Sequence, residues 1–441
     1  MSDSVFIILK NKAAEAFKQG DFSVARSLYS HAIDIDPQDD IHPLNRSLMN
    51  LRLTRWQEAE EDATTALRLC KCSKNDHRQK AYYRRCQARR EMANMAGAED
   101  DIKAFASTGG AQDLTRGEQQ KIDSSVTTPK LALEHESLSL EWQTVPANQM
   151  HFVKDTGGKG LGAFASRDIE RGDLILDEEP LLPFPKHLPS PIELRLAVEK
   201  LSPRDLLTFL SLKNAYSNNK DTISGIFNTN AFSDGVIVIR ASRFNHSCLP
   251  NARYSYHEAT NRQRIFALTD IRKGEEIFVM YFAGRDMYGS TRQQRQDTLQ
   301  TWYNFSCSCA ACDPNRGQSR ESDRRRLEIK SIWDEIPTLD PLRLGRKFLR
   351  SAIRAINLMK EEGYWADADD FANEAAMFCS MHSDWESAKY WHGIAYEHRV
   401  AQFGNDSAHS LRTLMFLENP RSVNHPQAGQ YRGQTFADIR L

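Results

Sequence analysis

With 441 residues and Lys+Arg 58 against Asp+Glu 59, a formal charge of -1, the chain carries no general field for polyanions, so direct nucleic-acid binding is not indicated; its length suffices for two or three domains, each with its own core. No run approaches the roughly 20 apolar residues of a membrane span and no apolar N-terminal stretch precedes a cleavage site, which predicts a soluble, non-membrane protein of the cytoplasm and/or nucleus. Eight cysteines, three of them crowded between Cys307 and Cys312, suit metal thiolates in a reducing compartment better than a disulfide framework.

Residues 6–107 repeat with a period of about 34, the length of a helix-turn-helix solenoid unit. Ala13, Gly20, Ala25, Tyr29, Ala32 and Pro37 take the small, turn, packing and terminating positions of the first unit. Ser47, Trp56, Ala59, Ala63 and Ala66 take them in the second, and Cys86, Ala98 and Ile102 in the third. Small residues at these offsets let paired helices approach, and larger ones fill the space between units; the pattern resembles a tetratricopeptide array. Residues 108–149, opening on Ser107-Thr108-Gly109-Gly110, read as a polar linker. Residues 150–284 switch to short β-type runs, Leu174 to Leu176, Val236 to Ile239 and Ile277 to Met280, between Gly-containing turns. A Leu-rich helical insert near 186–226 interrupts them, with Pro203 near a helix start. Residues 285–316 hold the cysteine cluster, 320–420 return to helical periodicity, and 421–441 read as a flexible tail. Cys70, Cys72, Cys86 and Cys379 read as ordinary thiols, and the run Arg316 to Arg326 as a solvated linker or helix face.

The chemistry concentrates in two segments. Cys307, Cys309 and Cys312, with Cys248 upstream, offer the four thiolates of a closed tetrahedral zinc site. Such a zinc has no open position and would staple a distant segment onto Asn245-His246, side chains that make poor core material.

The motif order carries a family resemblance. Gly158-Lys159-Gly160-Leu161-Gly162-Ala163-Phe164 comes first, then Asn245-His246-Ser247-Cys248-Leu249-Pro250-Asn251, then Gly274-Glu275-Glu276-Ile277 leading to Tyr281, then Tyr303-Asn304-Phe305 with the cysteines. In that order the chain resembles the SET-domain protein-lysine methyltransferases, and among them the SMYD-like branch. The resemblance implies an α+β multidomain protein: an N-terminal α-helical tetratricopeptide solenoid, a central β-rich SET fold over 150–284 whose helical insert borders the substrate groove, a zinc-bound post-SET segment, and a C-terminal α-helical, repeat-like domain. SMYD proteins also carry a zinc-binding MYND module, and this chain has no spare cysteines for one.

The activity so implied is methyl transfer from S-adenosylmethionine to a lysine side chain of a protein substrate, histone or non-histone. Tyr281 and Tyr303 are the implied catalytic pair lining an aromatic channel that desolvates the lysine ammonium and lowers its pKa from about 10.4. Lys159, Gly160, Leu161, Gly162, Asn245, His246, Tyr281, Tyr303 and Phe305 are the implied cofactor residues, with Lys159 meeting the donor carboxylate and Phe305 stacking on the adenine. Two other readings stay open: a non-catalytic scaffold whose repeats carry the role, and methylation of something other than lysine. For the repeats, resemblance to carboxylate-clamp arrays aligns Lys10, Asn45, Lys80 and Arg84 with four clamp positions and Ala14 with a missing asparagine. That implies a chaperone-type acidic C-terminal peptide as partner.

Overall fold

The computed structural model describes residues 2–70, 75–109, 149–184, 187–216, 221–232, 235–282, 289–313, 319–364, 367–421 and 428–441. They form two compact units, one within Met1–Leu138 and Leu188–Asn230, the other within Ser139–His187 and Ala231–Leu441. Apart from its ends, the predicted linker lies outside the described residues, as does Cys72.

The first unit opens with three helix pairs: α1 (Ser2–Gln19) with α2 (Phe22–Ile35), α3 (Ile41–Arg52) with α4 (Trp56–Leu69), and α5 (Asn75–Glu91) with α6 (Met95–Ser107). Each pair turns through one left-handed residue, Gly20, Thr54 or Ala93. After it, an amide bonds the carbonyl five residues back: Asp21 to Ala16, Arg55 to Asn50, Asn94 to Arg89. This 6→1 closure satisfies carbonyls that a helix end leaves orphaned. The side chains of Asp21 and Asn94 then accept from the next helix at Val24 and Gly97.

Pairs are also tied by buried charge. Arg46 forks onto Asp62 at 2.6 and 2.9 Å and Arg85 onto Asp101 at 2.6 and 3.0 Å, each pair 16 residues apart. Bidentate geometry makes such pairs directional, which fixes how each helix sits on its partner. From Gly20 to Thr54 the spacing is the expected 34, but from Thr54 to Ala93 it is 39; the additional residues lengthen α5, which has 17 residues where α3 has 12. In the same unit α7 (Pro191–Glu199) starts at a Ser190–Glu193 capping box, α8 (Pro203–Leu210) at the Ser202 cap, and α9 (Thr222–Asn230) follows. Arg26 reaches Glu199 at 2.8 Å, so the insert is ion-paired to α2.

In the second unit β1 (His151–Asp155) pairs antiparallel with β2 (Leu161–Ala165). β3 (Leu174–Glu178) and β7 (Ala252–His257) flank β8 (Arg262–Ala267), and β4 (Leu182–Pro183) pairs with β5 (Val236–Ile237). β6 (Asn245–His246) runs parallel to β9 (Phe278–Val279). Ala163, Ile175, Val236, Ile265 and Val279 fill one core between these ribbons. Helices α10 (Arg292–Tyr303), α11 (Ser319–Glu335), α12 (Pro341–Glu362), α13 (Ala368–Met381), α14 (Trp385–Phe403) and α15 (Ala408–Glu418) follow. The α13–α14 joint repeats the N-terminal turn: Ser383 is left-handed, the Asp384 amide bonds Cys379 five residues back, and the Asp384 side chain caps Ser387. The last residues differ from the flexible tail expected, because Phe436 and Ile439 are apolar anchors buried with Trp391 and Phe371, and the Phe436 amide donates to Asp384.

Candidate active site and cysteine cluster

The two-residue parallel pair β6–β9 positions the site. Register sets Asn245 against Phe278 and His246 against Val279, and the Ser247 amide extends the pairing to the Val279 carbonyl. Asn251 fixes β9 from the other side, accepting from the Phe278 amide at 2.7 Å and donating to the Glu276 carbonyl at 3.0 Å. Tyr281 is thereby brought over His246, whose Nδ1 accepts the Tyr281 amide at 3.1 Å. With Nδ1 an acceptor, Nε2 carries the proton and faces Cys248 Sγ at 3.4 Å. Burial holds the His246 pKa down at about 4, so the ring stays neutral and serves both bonds.

Gly160 and Gly162 shape the facing loop. Gly160 has φ +80°, and its carbonyl accepts from the Thr156 amide and hydroxyl. A Cβ on Gly162 would fall 2.6 Å from Glu276 Oε1 and 2.9 Å from Asn245 Nδ2, so no larger residue fits without displacing them. Asn245 Nδ2 donates to Leu161 O at 3.1 Å and to Glu276 Oε1 at 2.8 Å. Lys159 Nζ lies 3.6 Å from Glu276 Oε2 and 4.8 Å from the Phe278 ring centre. The carboxylate that Lys159 meets within the chain is therefore Glu276, a residue that sequence reasoning quoted in the Gly-Glu-Glu motif without giving it a role.

An aromatic cluster stands beside this polar rim. The Tyr281 ring lies 5.0 Å from Tyr303, 5.3 Å from His246 and 6.3 Å from Phe305 between centroids. Phe282, which the sequence reading passed over, closes it at 5.2 Å from Tyr303; an aromatic directly after Tyr281 was the available signal. The Tyr281 hydroxyl donates to the Phe244 carbonyl at 3.2 Å. Burial, then the neighbouring Tyr303 and Glu276, push its pKa well above the ordinary tyrosine range, so it is a donor and not a phenolate.

The four cysteines meet as expected from their spacing, their sulfurs all within 4.8 Å of one another. Local sequence explains the approach. Asn304 ends α10 in the left-handed conformation, which asparagine tolerates. Gln296 on α10 then holds Cys307 at both its amide and its carbonyl. Cys312 Sγ lies 3.5 Å from Cys248 Sγ, and both pack with Leu299, Phe282, Tyr303 and Phe305. Four converging thiols fit the donor set of a closed structural zinc.

Two buried arginines brace the cluster: Arg295 Nη2 lies 3.8 Å from Cys312 Sγ and 3.1 Å from the Ala311 carbonyl, and Arg326 Nη2 bonds the Cys248 carbonyl at 2.8 Å. A tetrathiolate zinc held there would carry net negative charge, which these cations would offset. Arg326 corrects the solvated reading of its run. It is 1% exposed and paired with Glu362 at 2.9 Å, whereas Arg320, Glu321 and Arg324 are exposed.

In the first unit, the four clamp positions lie on α1, α3 and α5. Lys10 pairs with Asp39 at 3.5 Å and Lys80 with Asp76 at 2.9 Å. Asn45 and Arg84 are buried, Asn45 against the Tyr29 hydroxyl and Arg84 bonding the Leu44 carbonyl at 2.7 Å.

The SET domain family model matches residues 160–282. The chain is 27% identical to the histone-lysine N-methyltransferase set5 of Schizosaccharomyces pombe, over 62% of this chain and 85% of that protein. It is 32% identical to the mouse protein-lysine N-trimethyltransferase SMYD5, over 42% of this chain and 40% of that protein. To the chicken N-lysine methyltransferase SMYD2 it is 31% identical, over 26% of this chain and 24% of that protein. It thus spans less than half the length of the two SMYD relatives. No described helix is long and apolar enough to cross a membrane.

Proposed function

From the premise that this is a SET-domain protein of the SMYD-like, lysine-methyltransferase kind, we propose that it transfers a methyl group from S-adenosylmethionine to the side-chain amine of lysine in a protein substrate, in the cytoplasm, the nucleus or both. The observation that carries the reading is the single cluster made by Tyr281, Tyr303, Phe305 and His246 beside the Lys159–Asn245–Glu276 rim. When bound, the donor supplies an electrophilic methyl on a sulfonium. Lys159, Gly160, Leu161, Gly162, Asn245 and His246 would hold its polar parts and Phe305 its adenine. Tyr281 and Tyr303 supply aromatic faces that favour cationic groups by about 0.5 to 2 kcal/mol each and exclude water, which lowers the pKa of an entering lysine. The Tyr281 hydroxyl, held protonated on Phe244, orients the amine and takes no proton from it.

Cys248, Cys307, Cys309 and Cys312 would hold a structural zinc that keeps Tyr303 and Phe305 against Tyr281. The helix pairs of residues 2–107 would act as a tetratricopeptide module recruiting a partner, a reading supported by the same turn recurring at Gly20, Thr54 and Ala93. An acidic C-terminal peptide of the chaperone type is the partner proposed for Lys10, Asn45, Lys80 and Arg84. It would have to exchange Lys10 out of its pair with Asp39 and Lys80 out of its pair with Asp76.

The test of the activity is incubation of purified protein with radiolabelled S-adenosylmethionine and cell extract, with mass spectrometry of labelled products. Methyl-lysine in protein is the expected result. Cofactor binding without transfer would leave the scaffold role, and label on small molecules or other residues would overturn lysine as acceptor. A fluorescent acidic peptide with a free carboxylate should outbind its amidated form; equal binding would overturn the clamp.

A further inference from the structure

The approach of α3, α4 and α5 gathers three side chains of metal-binding type that methyl transfer does not use. Asp40 is the N-cap of α3, Cys70 the C-cap of α4, and His77 lies in the first turn of α5. One ligand atom of each lies within 4.8 Å of the other two. An N-cap aspartate ordinarily turns its carboxylate onto the amides of its own helix. Asp40 makes no such bond; its Oδ2 lies 2.7 Å from His77 Nδ1 instead. Both side chains are largely withdrawn from water, at 6% exposed for Asp40 and 14% for His77.

Thiolate, imidazole and carboxylate form the mixed set that zinc accepts. Ligand atoms on a tetrahedral zinc, with bonds of about 2.0 to 2.3 Å, stand roughly 3.3 to 3.8 Å apart, so the cluster is within about an ångström of that spacing. Charge also closes: one thiolate and one carboxylate neutralise a divalent cation, so a part-buried site holds no uncompensated charge.

We propose that Asp40, Cys70 and His77 bind a zinc-type divalent cation, with water on the fourth position, as a structural tie between the start of α3 and the α4–α5 joint. Binding forms three bonds to the metal and releases the Cys70 thiol proton to solvent, while a neutral His77 keeps its one ring proton on the nitrogen that does not bind; no electron moves. The tie falls at the start of α5, the helix whose 17 residues against the 12 of α3 stretch the spacing from 34 to 39. It does not rest on the methyl-transfer reading.

The test is zinc stoichiometry of the full chain, loaded with zinc and passed over a competing chelator, against Cys70→Ser, His77→Gln and Asp40→Asn. Each variant should lose one equivalent relative to the unsubstituted protein with its helical circular dichroism retained. Cobalt loading should show a thiolate charge-transfer component that Cys70→Ser removes and Cys309→Ser leaves in place. Unchanged stoichiometry in the three variants, or a cobalt spectrum indifferent to Cys70→Ser, would overturn the site, whatever metal Cys248 and its neighbours hold. Should Cys70→Ser misfold, the near-isosteric Asp40→Asn and His77→Gln decide alone.

Discussion

The helix array and the SET region solve the problem of holding buried polar groups in opposite ways. In the array they answer one another at short range: Arg46 with Asp62 and Arg85 with Asp101, both 16 residues apart, repeated from pair to pair. In the SET region they answer across the chain: Asn245 with Glu276, His246 with Tyr281, Cys248 with Cys312 64 residues on. Repetition makes each array contact one of several equivalents, so loss of one is a local injury. Convergence makes each SET contact unique, so loss of one reaches function.

The largest expected effect tests convergence. Cys309→Ser should lower methyl transfer at least a hundredfold and raise amide exchange around Tyr303 to Cys312, because structural zinc supplies on the order of 10 kcal/mol to the segments it joins. Exchange in α3 to α6 should not change; if it does, the two regions are coupled and the contrast fails. Next, Asp101→Ala strands Arg85 and Arg89 beside an empty site and should cost the array about 3 kcal/mol in denaturant melts, while transfer to an isolated peptide stays within twofold. Tyr281→Phe should reduce turnover at least tenfold with cofactor affinity within a few fold, as a lost orienting hydroxyl does, in steady-state kinetics and binding titration. The smallest effect sharpens the comparison inside the array. Gly20→Ala should cost about 1 kcal/mol through its left-handed backbone alone, since a Cβ there meets nothing within 4 Å, whereas Ala93→Gly should cost less or stabilise.

What was legible in the sequence follows the same division. Gly162, Asn245, His246, Tyr281 and the four cysteines are residue types with few structural uses in that order, and the structure brings them together. Glu276, Arg295 and Arg326 were not legible, because a charged side chain reads as solvated until a distant partner is seen to bury it. Phe282 was hidden by the tyrosine before it. In the array the period announced the helix pairs, and the small residues Ala13, Ala25, Ala59 and Ala63 do lie at 0% exposure. The added length of α5 broke the period without a mark in composition. The burial of Asn45 and Arg84 also depended on packing that a clamp alignment does not contain. Phe436 near the chain's end anchored a stretch whose Gln, Gly and Pro content pointed to looseness.

The two-residue pairing of β6 with β9 has a consequence for how the molecule comes to exist. Parallel neighbours cannot be joined by a tight turn, and closing the loop from Asn245 to Phe278, and then the 64 residues from Cys248 to Cys312, instead of 16 costs about 0.6 and about 1 kcal/mol more before any contact repays it. The array therefore gains its contacts early and the SET site late. During that interval Cys248, Cys307, Cys309 and Cys312 are neither buried nor shielded by His246 and Arg295, and oxidation to sulfenic acid or to a mispaired disulfide competes with folding. Refolding yield should thus depend on reductant far more than the finished protein does, a burden that falls on the residues with the least redundancy.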